Sequence, residues 1–118
     1  MADWSRTVHF TVHDRVGDAH ERVAAGLSLI ARIRENGEDR IVAKRGSQIV
    51  TRLLGASFTR ASWLPMQATV VLERGDDSRV DVTVTVEDTF GFGTIASMRE
   101  RYEHSFDEVV DAVRKALR

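Results

Sequence analysis

The sequence predicts an α+β fold in which an antiparallel sheet of four to five strands carries two helices on one face. Three observations support this prediction. Several short segments alternate apolar and polar residues, which is typical of strands with one buried face. Two longer segments repeat their apolar residues at a helical period. The segments follow one another in the order β-α-β-β-β-β-α, and a sheet with one apolar face must bury that face against the helices.

Five segments have the alternation or the composition of strands. They are Thr7–His13, Arg40–Lys44, Gln48–Leu54, Met66–Glu73 and Arg79–Glu87. The last is the clearest, because valines occupy every second position and polar residues occupy the positions between them. One dry face and one wet face indicate an antiparallel sheet that is covered on one side.

The first helix is predicted over Asp18–Glu35. Asp18 and Glu21 resemble a capping box at its start. The pair Asn36-Gly37 is typical of a helix end, where a residue that tolerates left-handed geometry is favoured. Its apolar stripe contains Val23, Leu27, Leu29, Ile30 and Ile33.

The second helix is predicted over Ser97–Leu117 and closes the chain. Its apolar stripe contains Met98, Tyr102, Phe106, Val109, Val110, Val113 and Leu117. Both helices are expected on the apolar face of the sheet, so the core lies between this stripe and the valines of Arg79–Glu87. A charge at Val84 or Val109 is therefore predicted to abolish cooperative unfolding.

Composition and charge exclude several classes of protein. The chain has 118 residues, of which 42% are hydrophobic and 30% charged, values typical of one globular domain, here predicted over residues 1–118. The absence of cysteine excludes disulfides and thiolate chemistry and fits a cytoplasmic protein. We expect no membrane span, no signal peptide and, at a net charge of −1, no nucleic-acid partner.

Motifs for catalysis or cofactor binding are weak. His9 and His13 lie four residues apart on one strand, so their side chains are about 13 Å apart, too far to share one metal ion. The serines form no nucleophile elbow. The glycine-containing segment Phe90–Thr94 lacks the Lys-Ser/Thr pair of a phosphate loop and the third glycine of a dinucleotide site. The sequence therefore predicts no catalytic residue, no metal and no cofactor.

An irregular segment, Leu53–Pro65, is unusually apolar for a loop. Irregular segments are usually polar, so its large side chains are either folded inward or presented to a ligand or partner. A hairpin that closes the end of the core, a hydrophobic lip over a pocket and an interface for another chain all fit it. Arg52 and Arg60 flank the segment, as the rim of an interface would.

The order of elements resembles a shortened helix-grip fold of the Bet v 1/START-like kind. The segments Arg40–Gly46, Ser62–Pro65 and Gln67–Val71 are similar to segments of small bacterial domains of that shape. The resemblance implies that an apolar ligand lies between the sheet and the long helix. It carries over no catalytic residues, since none can be matched to this chain.

Three functions follow, in order of preference. The first is a non-enzymatic binding module for a small apolar ligand, whose predicted ligand-binding residues are Leu54, Phe58, Trp63, Leu64 and Tyr102. The second is a protein-interaction or self-association domain, such as a homodimer, that uses the same loop or the edge strand near Gln48–Leu54. The third is a small enzyme whose residues converge only on folding, such as His9, His13 and Tyr102.

Overall fold

The computed structural model describes residues 5–46, 65–75, 78–88 and 96–117. Within these ranges the chain forms five strands and two helices in the predicted order β-α-β-β-β-β-α. They are β1 (Ser5–His13), α1 (Val16–Ser28), β2 (Arg32–Asn36), β3 (Arg40–Arg45), β4 (Met66–Arg74), β5 (Arg79–Asp88) and α2 (Ala96–Ala116). The α+β class is confirmed. The predicted strand Gln48–Leu54 lies outside the described residues.

The strands form one antiparallel sheet in the order β1-β5-β4-β3-β2. The hairpins β2–β3 and β4–β5 place strands that follow one another side by side, and β1 joins the free edge of β5. One row of partners runs through Val8, Val84, Val70 and Ile41. Because side chains alternate between the two faces along each strand, this row identifies one apolar face, called the inner face below.

Both helices pack on the inner face, as the sequence predicts. Alternate residues of β4 and β5 are buried there: Met66, Ala68, Val70, Leu72, Val80, Val82, Val84 and Val86. They share one hydrophobic cluster with Ala19, Val23 and Leu27 of α1 and with Tyr102, Phe106, Val109, Val110 and Val113 of α2. Burial of this apolar area supplies most of the favourable free energy of folding, at about 25 cal/mol per Å².

The opposite, outer face of the sheet is polar. Cross-strand pairs between β1 and β5 hydrogen bond through their side chains: Thr7 with Thr85, His9 with Thr83, and Thr11 with Asp81. The Nδ1 atom of His9 lies 3.0 Å from the Thr83 hydroxyl. The predicted division into one dry and one wet face is confirmed for these strands.

The first helix is shorter than predicted. It ends at Ser28, and Arg32–Asn36, whose first four residues the sequence assigns to the helix, forms the edge strand β2. Apolar residues spaced by three, such as Ile30 and Ile33, continue a helical stripe, yet Ile33 faces Ala43 in the β2–β3 pairing. Pairing with β3 therefore overrides the local helical pattern. Leu29, predicted to widen the helical stripe, is 85% exposed.

The predicted helix ends are also wrong. The N-cap residue is Arg15, which makes no capping hydrogen bond with its side chain, and Asp18 lies within the first turn. Asn36 ends β2 rather than a helix, and the backbone N–H of Gly37 donates to the Arg40 carbonyl at 2.8 Å across the β2–β3 turn. Asn and Gly are common both at helix ends and in hairpin turns, so the pair Asn36-Gly37 alone does not distinguish the two.

Candidate functional site

The contact between α2 and the rest of the molecule has two chemically different halves. Toward its C-terminus α2 is apolar and lies close to α1. A β-carbon at Gly26 would lie 3.0 Å from the Ala116 Cβ and 3.5 Å from the Ala112 carbonyl oxygen. This half, formed by Gly26 of α1 with Val109, Ala112, Val113 and Ala116 of α2, is called the apolar seam.

Polar side chains lie where the first part of α2 meets the sheet. Arg45 of β3 and Tyr102, Ser105 and Glu108 of α2 are called the polar cluster. Spacings of three residues place Tyr102, Ser105 and Glu108 on the same side of the helix. Arg45 ends β3, where it pairs with Met66 at the start of β4. The cluster therefore lies at one end of the sheet, under the N-terminal half of α2.

Arg45 points toward α2 because of its position along β3. Ile41, Ala43 and Arg45 alternate onto the inner face, and all three are buried. Arg45 is only 9% exposed. A buried guanidinium must be hydrogen bonded and paired with a charge, because its hydration is lost.

The guanidinium is bound by two residues of α2. Its Nη2 atom donates to Glu108 Oε2 at 2.8 Å, and its Nη1 atom donates to Ser105 Oγ at 3.3 Å. The fully buried Ser105 hydroxyl donates in turn to the Met66 sulfur at 3.0 Å. These bonds connect β3, β4 and α2.

Glu108 lies at the boundary between the cluster and solvent. Its second oxygen, Oε1, is 3.0 Å from His104 Nε2 one helical turn earlier. The Glu108 side chain is 39% exposed and that of His104 is 69% exposed. One oxygen of the Glu108 carboxylate thus accepts a hydrogen bond from the buried Arg45, and the other contacts the exposed imidazole of His104.

Tyr102 is the one predicted ligand-binding residue that the structure describes. It is fully buried, and its hydroxyl donates to the Pro65 carbonyl at 2.9 Å. Its ring lies 5.8 Å, centroid to centroid, from that of Phe106. The other predicted residues, Leu54, Phe58, Trp63 and Leu64, lie outside the described residues.

Arg45, Ser105 and Glu108 were not among the sequence-predicted candidates. The alternation of β3 could have placed Arg45 on the inner face, and Ser105 falls within the apolar stripe of α2. Their proximity could not be read from the sequence, because 60 residues separate Arg45 from Ser105. The structure does not bring His9 and His13 to Tyr102, since both histidines are exposed on the outer face.

Three clefts are lined by described residues, and the third of them includes Arg45 of the polar cluster. One, of about 490 Å³, lies on the outer face around His9, Asp81 and Thr83. A second, of about 380 Å³, lies at the start of α1 near Arg15 and Arg79, and a third, of about 340 Å³, follows the end of α1. Within the described residues, no three histidine, aspartate or glutamate side chains converge as metal ligands would.

No protein-family model matches the sequence, and no curated protein sequence matches it. Solved structures do match the fold. The crystal structure of the Zhui aromatase/cyclase from Streptomyces sp. R1128 is 16% identical, with a TM-score of 0.50 over 97% of this chain and 92% of that chain. The chain has the helix-grip fold.

Two further structures with similarity to this helix-grip chain have lower scores. Ara h 8.0201 is 11% identical, with a TM-score of 0.49 over 97% of both chains. A conserved protein from Geobacillus kaustophilus is 9% identical, with a TM-score of 0.47 over 97% of this chain and 92% of that chain. In the described part of the helix-grip chain, neither helix is long and apolar enough to cross a membrane.

Proposed function

We propose that the chain is a non-enzymatic binding module that holds a small apolar ligand between the inner face and the N-terminal half of α2. The observation that carries the proposal is the polar cluster, which places buried polar groups where the rest of the inner face is apolar. Sites for small molecules have this composition, since apolar walls supply affinity and a few convergent polar groups fix orientation.

Stability alone gives no reason for the cluster. A buried ion pair recovers little more than the cost of removing its charges from water, and apolar side chains of similar volume are often as stable or more stable. Ile41 and Ala43 show that β3 accommodates apolar side chains at the equivalent positions. An arginine that the core does not need supports a role in recognition.

Binding rather than catalysis fits the partners of Ser105. Its hydroxyl contacts the Arg45 guanidinium and the Met66 sulfur, and neither group can act as a general base at neutral pH. Within the described residues, Ser105 is therefore not an activated nucleophile.

The likeness to the Zhui aromatase/cyclase supports a small organic ligand, because aromatisation and cyclisation act on such molecules. Leu54, Phe58, Trp63 and Leu64 are proposed to cover the ligand, and Tyr102 is proposed to supply a polar contact. We also propose one domain over residues 1–118, since the described strands and helices share a hydrophobic cluster. A cytoplasmic location is proposed as well, with which a chain without cysteine is consistent.

Fluorescence of N-phenyl-1-naphthylamine, a neutral apolar probe, tests the proposal. Saturable enhancement at one probe per chain is expected, together with a rise in melting temperature that grows with probe concentration. No enhancement and no change in melting temperature would contradict a binding module.

A second candidate function, self-association, is favoured by the position of β1 at the edge of the described sheet. This nine-residue strand pairs with β5 in unbroken register, and no described residue pairs with its other edge. The opposite edge strand, β2, is protected from such pairing by its five-residue length, its register shift and its arginines. Light scattering distinguishes the two candidates, since a monomer at all concentrations would count against a β1-mediated dimer.

A further inference from the structure

The counterion of Arg45 lies in an unusual position for a buried ion pair. Arg45 itself is 9% exposed, whereas Glu108 is 39% exposed. Glu108 can therefore turn toward water at a low cost in solvation, while Arg45 cannot. A buried cation paired with such a carboxylate can exchange it for another anion.

The two hydrogen bonds that Arg45 donates to α2 are weaker than the two it could donate to a single carboxylate. Glu108 accepts from Arg45 through one oxygen only, and the second bond, to the neutral Ser105 hydroxyl, is long at 3.3 Å. A guanidinium binds a carboxylate most strongly through two parallel N–H···O bonds. The carboxylate of a ligand bound next to Arg45 could accept hydrogen bonds from both its Nη1 and its Nη2 atoms.

Glu108 already has a second partner that can hold it after such an exchange. Its Oε1 atom lies 3.0 Å from His104 Nε2, on the solvent side of α2. The residue can keep this contact while its other oxygen leaves Arg45.

We propose that the ligand of this site is an apolar molecule that carries one carboxylate, and that this carboxylate displaces Glu108 from Arg45. This inference rests on the proposed function and names the chemical class of its ligand. The apolar part contacts the inner face and Tyr102, and the carboxylate pairs with Arg45. Glu108 is then an internal competitor that occupies Arg45 when no ligand is bound.

Competition by Glu108 has a consequence that a merely structural ion pair lacks. Removal of its charge by Glu108→Gln leaves Arg45 without a competing carboxylate, so a carboxylate ligand binds more tightly. Asp107→Asn is the matched control. Asp107 is the preceding residue of α2 and pairs with a different arginine, Arg6, so its charge is removed from the same helix without releasing Arg45.

The experiment measures displacement of N-phenyl-1-naphthylamine by decanoate and by decan-1-ol, which have the same chain length and differ in the anionic group. In the wild type, decanoate is expected to displace the probe at about a tenfold lower concentration than decan-1-ol, as a charge-assisted hydrogen bond provides. Arg45→Met is expected to remove this preference, so that decanoate and decan-1-ol displace the probe at similar concentrations. Glu108→Gln is expected to strengthen decanoate binding about threefold or more, and Asp107→Asn to leave it unchanged.

The possible results separate the two proposals. If the probe binds but Arg45→Met keeps the preference for decanoate, the carboxylate proposal is wrong and the binding module stands. If Glu108→Gln weakens decanoate binding, Glu108 assists the ligand instead of competing with it, and the exchange is contradicted. If neither the probe nor decanoate binds the wild type, both proposals fail.

Discussion

The two halves of α2 make chemically different contacts with the rest of the molecule. The apolar seam brings α2 so close to α1 that Gly26 has no space for a side chain without movement of Ala116. The polar cluster, two turns earlier, buries an arginine and a serine among apolar neighbours. Close apolar packing specifies a fold, whereas buried polar groups cost free energy unless they bind one another or a ligand. The C-terminal part of α2 therefore holds the fold, and the N-terminal part is the one proposed to recognise a ligand.

The largest effect is expected from a charge in the core that both halves share. Val84→Asp places a carboxylate at a fully buried position of the inner face, so cooperative unfolding should be lost. Thr85→Asp, at the next residue on the outer face, should cost no more than about 1 kcal/mol and keep a sharp transition. Thermal melts followed by circular dichroism measure both variants. A sharp, wild-type-like melt of Val84→Asp would contradict the assigned core.

A smaller effect is expected from the two glycines of α1. Gly26→Leu should destabilise the protein by about 1–3 kcal/mol, because the new side chain meets Ala116 and Ala112 in the apolar seam. Gly17→Ala should stabilise it by about 0.4–1 kcal/mol, since the new β-carbon meets no other described part of the molecule within 4 Å and the unfolded chain loses freedom. Urea unfolding gives both free energies. Equal effects of the same sign would show that the seam is not closely packed.

Loss of one neutral hydrogen bond in the polar cluster should lower the free energy of unfolding by less than Gly26→Leu does. Tyr102→Phe removes the hydroxyl that donates to the buried Pro65 carbonyl, and should lower the free energy of unfolding by about 1 kcal/mol. The ring stays in place against Phe106, so the melt should remain cooperative. An unchanged free energy of unfolding would show that water or another donor replaces the hydroxyl.

The smallest effect on stability is expected at Arg45 itself. Arg45→Met replaces a buried cation with an apolar side chain of similar length, which should change the free energy of unfolding by no more than about 1 kcal/mol in either direction. Urea unfolding of this variant measures the change directly. A loss of more than about 3 kcal/mol would show that Arg45 holds the fold together, and the contrast between the halves of α2 would disappear.

Most of the fold could be predicted from sequence because its strands and its last helix have strong periodicity. The valines of β5 alternate strictly, and the apolar stripe of α2 continues for five turns. The β2 strand was missed because Ile30 and Ile33 fit the spacing of a helix, while the pairing of Ile33 with Ala43 depends on a partner strand. Local pattern decides an element only where tertiary pairing does not compete with it.

The candidate site was much less predictable. Tyr102 was identified because an aromatic hydroxyl in an apolar stripe is conspicuous. Arg45 lies just after the predicted strand Arg40–Lys44, and burial of its side chain depends on the register of β3 with β4 and on the helix that covers them. Contacts between residues far apart in sequence leave no periodic signal in either segment.

The most direct test of the contrast is a map of backbone amide chemical shifts as N-phenyl-1-naphthylamine is added to the ¹⁵N-labelled protein. If the polar cluster marks the binding site, the largest shifts among the described residues will fall in residues 43–46 and 102–108, and the apolar seam will change little. Largest shifts in the seam, or around His9 and Thr83 on the outer face, would contradict a ligand site under the N-terminal half of α2.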